Sequence, residues 1–406
     1  MEQISRSHQV VKSQRLWSLD ALRGFDMFWI VSGEGIFHGF AKAIMLRHDL
    51  QQDKEDWQIS TNGDLNIWEK ITVGISNQLH HSPWNGFTFY DLIFPLFIFI
   101  AGVSMPYSFG RQIELAGTNQ SFAKRNIYRS LIRRTLILIL LGMVVNGALQ
   151  LQGFDHTRFA SVLSRIAISC FIGAVIFLQS GLRGQLLWCA GILLGYWAVM
   201  MLVPVPGFGA GDLSPDGNLA AWVDRLLLPG KLHRVVYDPE GLLTNIPAAC
   251  SALLGIFTGQ FLRWPSPQWG MQKKCMAMVV GGLVLLLAGW LWGWVFPINK
   301  ILWTSSFVLF AGGWSLLLLA LFYYVNDILK WRTWSLPLVW MGMNSILIYV
   351  AAHGAIHFEY TSLFLFGGLI QKLPPLWHEG FTWMGVALLQ FAGLYFLYKN
   401  KIFLKV

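Results

Sequence analysis

Apolar residues run through this chain in blocks of about 18 to 24, divided by short polar or turn-rich stretches, and the alternation continues almost to the last residue. Blocks near that length match the roughly 30 Å hydrocarbon layer that a helix must cross. Only helices and closed barrels satisfy all their backbone groups there. The pattern predicts an all-α polytopic bundle of about ten transmembrane helices, at 21–44, 87–109, 135–152, 160–180, 185–204, 242–262, 276–296, 302–325, 337–356 and 381–398. Residues 1–406 read as a single transmembrane domain without a visible internal repeat. Met1–Ser18 is polar, and the first apolar run is too long and too polar for the core of a signal peptide.

Three long connections stand out, at 46–86, 205–241 and 357–380; the middle one opens on the turn formers Pro204, Pro206, Gly207, Gly209 and Gly211. Basic residues in the short loops set the orientation. With the N-terminus inside, Arg6, Lys12, Arg15, Arg111, Lys124, Arg125, Arg129, Arg133, Arg134, Arg183, Arg263, Lys273, Lys274, Lys330, Arg332, Lys399, Lys401 and Lys405 are cytoplasmic. The outer side keeps about half as many: Arg47, Lys54, Lys70, Arg158, Arg225, Lys231, Arg234, Lys300 and Lys372. Both termini are therefore expected in the cytoplasm, with the three long connections outside.

Composition agrees with this picture, since 55% of residues are hydrophobic and only 13% charged, which excludes a soluble chain. Much of the net charge of +9 belongs to the topology signal and calls for no nucleic-acid partner. Cys170, Cys189, Cys250 and Cys275 lack metal-ligand spacing and read as small apolar fillers. The one Asn-x-Ser/Thr sequon, Asn119-Gln120-Ser121, falls on the inner side, which fits a bacterial inner membrane.

Ionisable groups at membrane depth are costly and point to a site by default. The segment His80-His81-Ser82-Pro83-Trp84-Asn85-Gly86-Phe87-Thr88-Phe89-Tyr90-Asp91 runs directly into an apolar stretch and puts an imidazole, an amide and a carboxylate at that boundary. His81 suits general base or acyl carrier chemistry, or is an interfacial ring that snorkels. Asn85 suits an oxyanion or caps the next helix. Asp91 sits where a helix N-terminus favours a carboxylate. In the first span Asp26, Glu34 and His38 fall within one third of an ideal helix circumference, with Glu34 and His38 as i,i+4 neighbours. On the inner side Arg125, Arg129, Arg133 and Arg134 suit anionic lipid headgroups or a phosphorylated co-substrate. Arg165 lies inside an apolar run and needs an anionic partner. His353 and His357 are spaced i,i+4 but have no clear third ligand, so no metal is expected. No Walker A loop, GxSxG elbow or HExxH motif is present.

Several short motifs then occur in one order: Ser18-Leu-Asp-Ala-Leu-Arg-Gly24, His81-x-x-Trp-Asn-Gly86 with Asp91 and Pro95, and Arg158-x-x-x-Val-Leu-x-Arg165. They continue with Pro204-Val-Pro-Gly207, Asp224-Arg-Leu-Leu-Leu228, Tyr237-Asp-Pro-Glu-Gly241, Met343-Asn-Ser-Ile346 and Tyr398-Lys-Asn-Lys-Ile-Phe403. With them the chain resembles the heparan-α-glucosaminide N-acetyltransferase family, the lysosomal transmembrane acetyltransferase and its bacterial relatives. The resemblance implies transfer of acetyl from cytosolic acetyl-CoA to the amino group of a glucosamine on the far side. The family's active histidine falls on His81, and the asparagine that assists it falls on Glu34, a carboxylate able to orient the imidazole or act as base. Asn85 becomes the candidate for the oxyanion or for sugar positioning. Arg129, Arg133 and Arg134 become candidates for the acetyl-CoA phosphates. Trp84, Asp91, Arg158, Arg165, His38, Asp238, Glu240 and Asn344 are the candidates for substrate binding.

The expected partners are membrane lipid and an amino-sugar acceptor, with a homodimer suggested by analogy alone. Direct transfer and an acetyl-histidine are both open; hydrolysis of an acyl-imidazole near water favours the direct route. The competing readings are a transporter for an amino sugar or N-acetylglucosamine, and an acyltransferase with another acyl group or acceptor.

Overall fold

The computed structural model describes residues 16–53, 57–61, 63–151 and 153–404. Arg6, Lys12, Arg15, Lys54 and Lys405, used above for orientation, lie outside the described residues. Within the described residues there is no β-strand, only isolated bridges such as Arg158 with Gly230.

The chain starts with α1 (Trp17–Phe28), which continues through a π-helical turn, Trp29–Gly33, into α2 (Glu34–His48). After α3 (Ile67–Gln78) the deeply buried α4 (Phe89–Met105) runs through a second π turn to the short α5 (Arg111–Leu115). Next come α6 (Gln120–Val145), α7 (Val162–Gln179), α8 (Leu182–Leu202) and α9 (Leu219–Leu227). The second half holds α10 (Asn245–Arg263), α11 (Met271–Trp292), α12 (Ser305–Tyr323), α13 (Leu336–Met343), α14 (Ser345–Val350), α15 (Phe358–Ile370) and α16 (His378–Lys399).

Ten spans were expected, and fewer are found. Among the described residues, seven helical segments are long and apolar enough to cross a membrane: Phe89–Leu115, Val162–Gln179, Leu182–Leu202, Asn245–Arg263, Met271–Trp292, Ser305–Ile328 and Pro375–Lys399. Leu336–Met343 with Ser345–Ala355 makes an eighth only if a 78° bend is allowed within one span. The expected first and third spans are helices as well, but both fall short on apolarity. α1 and α2 carry Asp20, Arg23, Asp26, Glu34 and Lys42, and α6 starts at Gln120 and carries Arg125, Arg129, Arg133 and Arg134. The connections also hold more structure than expected. α3 lies within 46–86, α9 within 205–241, and the apolar α15 fills the first half of 357–380 and packs on α16.

The interior is organised around α4. Its face packs closely on α10, and a Cβ on Gly102 would stand 2.2 Å from Ala252 O, one on Gly255 2.1 Å from Phe99 O. Small residues let two backbones approach without a hydrophobic drive between helices in lipid. α8 and α11 instead expose large side chains such as Leu187, Trp188, Leu283 and Leu287, as lipid-facing helices do. All four cysteines are free.

Candidate active site

α3 determines where the two histidines stand. Asn66 caps it, with its side chain accepting from Glu69 N at 3.0 Å and Glu69 reaching back to Asn66 N at 3.0 Å. α3 is tied to α2 by His38 Nδ1 with Ser76 Oγ (2.8 Å) and His48 Nε2 with Glu69 Oε1 (3.1 Å). The chain then leaves at Leu79 and makes a tight excursion before α4. Thr88 Oγ1 donates to His80 O at 2.7 Å, and Gly86, at φ +131°, donates its N–H to Ile298 O at 2.8 Å. A side chain at that φ would be strained.

Thr88 is the residue that caps α4, and Asp91 stands at its third position. Asp91 Oδ2 accepts Ser82 N (3.2 Å), Ser82 Oγ (2.9 Å) and Thr88 N (3.2 Å), which leaves Oδ1 for His81 Nδ1 at 2.8 Å. The Asp91 side chain is 1% exposed and the His81 ring 52%. This is a histidine–carboxylate dyad: Asp91 holds the proton on Nδ1 and leaves the Nε2 lone pair free to act as base. Lys300 completes it from a distant loop, with Nζ 3.5 Å from Asp91 Oδ1. That Nζ lies 3.0 Å from His81 Nδ1 and 3.3 Å from Nε2, within reach of both ring nitrogens. Burial first and the Lys300 charge second push the His81 pKa below its ordinary value, against the opposing pull of Asp91. Burial likewise lowers the Lys300 pKa, opposed by Asp91.

The dyad opens on a cavity of about 620 Å³ that reaches past the start of α4 to Phe97. Glu34, His81, Trp84, Asp91, Arg158, Arg165 and Glu240 line it, seven of the residues singled out from the sequence. The structure also corrects several expectations. The carboxylate on His81 Nδ1 is Asp91; Glu34 instead accepts a hydrogen bond from Tyr90 OH, and the Tyr90 ring lies 4.7 Å from that of His81. Asp26 does not share the Glu34 face. The cavity face reads Met27, Ile30, Glu34, the i, i+3, i+7 stripe of a helix, while Asp26 is fully buried off the cavity. His38 lies behind the wall, stacked 4.1 Å from His80, with Nε2 3.6 Å from Glu34 Oε1.

Asn85 lies off the cavity lining and caps no helix; its Oδ1 accepts Asn299 Nδ2 at 3.1 Å. Asn344 is spent on the C-terminal segment, donating to Ile402 O (3.1 Å) and accepting from Leu404 N (3.0 Å). Arg129, Arg133 and Arg134 are exposed on α6 and none lines the cavity. The far end of α6 is the end near the site, where Asn146 Nδ2 donates to Ala160 O at 2.6 Å. At 1.5 Å per residue, Arg133 lies about 20 Å back along that helix.

The opposite wall is fixed by an ion-pair cluster. Arg158 Nε donates to Asp238 Oδ2 at 2.8 Å and Nη2 to Asp238 Oδ1 at 2.6 Å, while Nη2 also contacts Glu240. Asp238 is itself oriented by His233 N and Glu240 N, both at 2.9 Å. Burial works against the Asp238 charge, but Arg158 outweighs it and holds the carboxyl below its usual range. Asp238 thus serves the wall from behind, and Glu240 reaches the cavity. Removing one member of a buried pair leaves the other charge uncompensated. Arg158→Ala is therefore expected to destabilise the protein by about 3–5 kcal/mol, read as a lower thermal midpoint in detergent. Adding Asp238→Asn and Glu240→Gln to it is expected to recover part of the loss.

Three residues at the site carried no signal that singled them out, and a fourth, Tyr237, stood only as part of a motif without a role of its own. Lys300 counted only as an outer-loop charge, Tyr90 sat inside a quoted segment without a role, and Trp57 and Tyr237 come from connections and line the cavity mouth. Tyr237 packs at 5.3 Å against Trp84, whose indole donates to Leu213 O at 2.9 Å. Among the described residues no three His, Cys, Asp or Glu side chains gather as a metal site.

Fold and site together define a polytopic helical membrane protein whose cavity is built around a histidine–aspartate dyad at the mouth of a buried span. No protein-family model matches the chain. It is similar to the human heparan-alpha-glucosaminide N-acetyltransferase, 28% identical over 381 residues covering 80% of this chain and 55% of that protein. It is also similar to the Mus musculus protein of the same name, 28% identical over 324 residues, or 66% of this chain and 48% of the relative. The chain spans about half the length of the curated relatives it matches.

Proposed function

We propose that this chain is a transmembrane N-acetyltransferase of the bacterial inner membrane, moving acetyl from cytosolic acetyl-CoA to the amino group of a glucosamine-type sugar on the outer side. The observation that carries this reading is the His81–Asp91 dyad facing a cavity that enters the bundle, in a relative of acetyltransferases. A volume of about 620 Å³ lies within the roughly 300–1,000 Å³ usual for small-molecule sites. Trp57, Trp84 and Tyr237 give its mouth aromatic faces of the kind that sugars stack against. No metal ligation is needed for the chemistry.

In this reading His81 Nε2 takes the N–H proton of the acceptor amine as its nitrogen attacks the thioester carbon, and Asp91 stabilises the imidazolium that forms. The C–N bond replaces the C–S bond, and the proton on His81 passes to the departing thiolate. The balance is acetyl thioester plus amine giving amide plus thiol. Tyr90 and Glu34 line the same face and position the imidazole edge or the acceptor. Arg129, Arg133 and Arg134, off the cavity, act as phosphate ligands in this scheme only for a donor whose arm enters from the opposite end. Otherwise they serve lipid headgroups, a role their exposure also suits.

The test uses purified full-length protein in detergent with acetyl-CoA and glucosamine, following thiol release and acetylated sugar by mass spectrometry. Acceptor-dependent turnover is the expected result. Donor binding without turnover would redirect the search to another acceptor. Absence of both would overturn the enzyme reading, because a transporter shows no activity without compartments.

A further inference from the structure

The cavity wall carries three buried or half-buried cations, and two of them are neutralised: Lys300 by Asp91, and Arg158 by Asp238 and Glu240. Arg165 is different. At 1% exposed it is the most buried cation of the wall, yet it makes no ion pair among the described residues. Its hydrogen-bond partner is Thr244 Oγ1, and Nε has none. The guanidinium lies over aromatic faces, 4.8 Å from the Trp303 ring centre and 5.9 Å from that of Phe94. Those rings support the cation but leave its Nε without a partner, and buried charges are otherwise paired.

Its position relative to the dyad follows from two parallel spacings. Asp91 and Phe94 are i,i+3 on α4, and Lys300 and Trp303 are i,i+3 across one turn closed by Trp303 N to Lys300 O at 3.1 Å. Asp91 and Lys300 hold His81, while Phe94 and Trp303 hold Arg165. The guanidinium therefore lies in the same cavity as the imidazole system, held by residues one turn further along each element. Around it the lining turns apolar, with Phe97, Val162 and Ile166.

Resting on the acyltransferase reading, we propose that Arg165 is a catalytic residue that takes the carbonyl oxygen of the acyl thioester. As the amine nitrogen bonds to the carbonyl carbon, the C=O π pair moves onto oxygen and is stabilised by the guanidinium. When that pair returns, the C–S bond breaks and its electrons leave on sulfur, which receives the proton held by His81. A donor preorganised in a dry pocket is most effective where charge develops, and the apolar floor next to it suits the acyl methyl group. Asn85, the oxyanion candidate from the sequence, lies off the lining, whereas Arg165 is on it.

The experiment compares wild type, Arg165→Lys, Arg165→Gln and Arg165→Gly in detergent, measuring kcat, both KM values, CoA affinity by calorimetry and thermal midpoint. Loss of an oxyanion donor costs about 10²–10³ in kcat. That fall is expected for Arg165→Gln, with a smaller one for Arg165→Lys, while KM and CoA affinity stay within about threefold. Added guanidinium ion is expected to restore part of the Arg165→Gly rate, which a purely structural role would not allow. Unchanged kcat in Arg165→Gln, or a rise in acceptor KM alone, overturns the inference and leaves the acyltransferase reading intact. So does a loss of rate that follows the thermal midpoint and is not rescued. A wild-type protein that neither binds the donor nor turns over takes down that reading, and the inference with it.

Discussion

Replacing His81 by alanine is expected to lower kcat for acetyl transfer by about 10⁴-fold, the upper end of what a positioned acid–base group contributes. The side chain is half exposed into the cavity, so its removal leaves no sealed void and the protein should stay folded with donor binding retained. The pH profile provides a second check. Burial and Lys300 hold the His81 pKa below its ordinary value, so the neutral, proton-accepting form prevails at pH 7 and kcat/KM should fall only as pH drops through that lowered pKa. His81→Ala should lose this acid limb. Added imidazole should restore part of the rate if the ring serves as a base. A labelled acetyl group trapped on wild type in the absence of acceptor, and absent from the mutant, would instead establish an acetyl-histidine. Unchanged turnover in the mutant would remove His81 from the chemistry altogether.

The bundle was largely legible in the sequence, because lipid leaves an apolar run of about 20 residues few alternatives. α4, α7, α8, α10, α11 and α12 lie within a few residues of their expected positions. The spans that went astray are those where charge and irregular backbone intervene. The arginines of α6 belong to its helix, while the sequence reading treated them as a loop before a span. Glu34 and His38 were grouped with Asp26 as one stripe a third of the circumference wide, but the cavity meets a narrower face, Met27, Ile30 and Glu34, and Asp26 is buried off it. His81 and Asp91 were both visible as chemistry, yet their pairing was not. They are joined through a coil in which Pro83, Gly86 and Thr88 fold the chain back, and no helical or strand period reports that. Lys300 comes from 219 positions along the chain, and a lone lysine in a loop carries no spacing signal. Arg165 was the clearest anomaly in the sequence, a cation in an apolar run, and it remains one in the structure.

Asp91→Asn is the sharper test of the dyad, because its outcome follows from which atoms donate to Asp91. Oδ2 faces the N–H groups and the hydroxyls of Ser82 and Thr88, so an asparagine must turn its oxygen there. Its NH2 then occupies the Oδ1 position, 2.8 Å from His81 Nδ1, and can only donate. Nδ1 becomes the acceptor, the proton moves to Nε2, and the lone pair that should take the proton from the amine is gone. A histidine locked in the wrong tautomer by an aspartate-to-asparagine change loses as much as about 10⁴ in rate in serine proteases. The expected effect here is about 10³, within tenfold of deleting the imidazole, with donor affinity unchanged. Loss of the carboxylate also removes what raises the His81 pKa, so the residual activity should titrate at lower pH than wild type. The helix start should survive, since the asparagine oxygen still accepts from Thr88 N. Near-wild-type kcat in Asp91→Asn would mean that Asp91 serves only to begin α4, and that the base function of His81 does not depend on it.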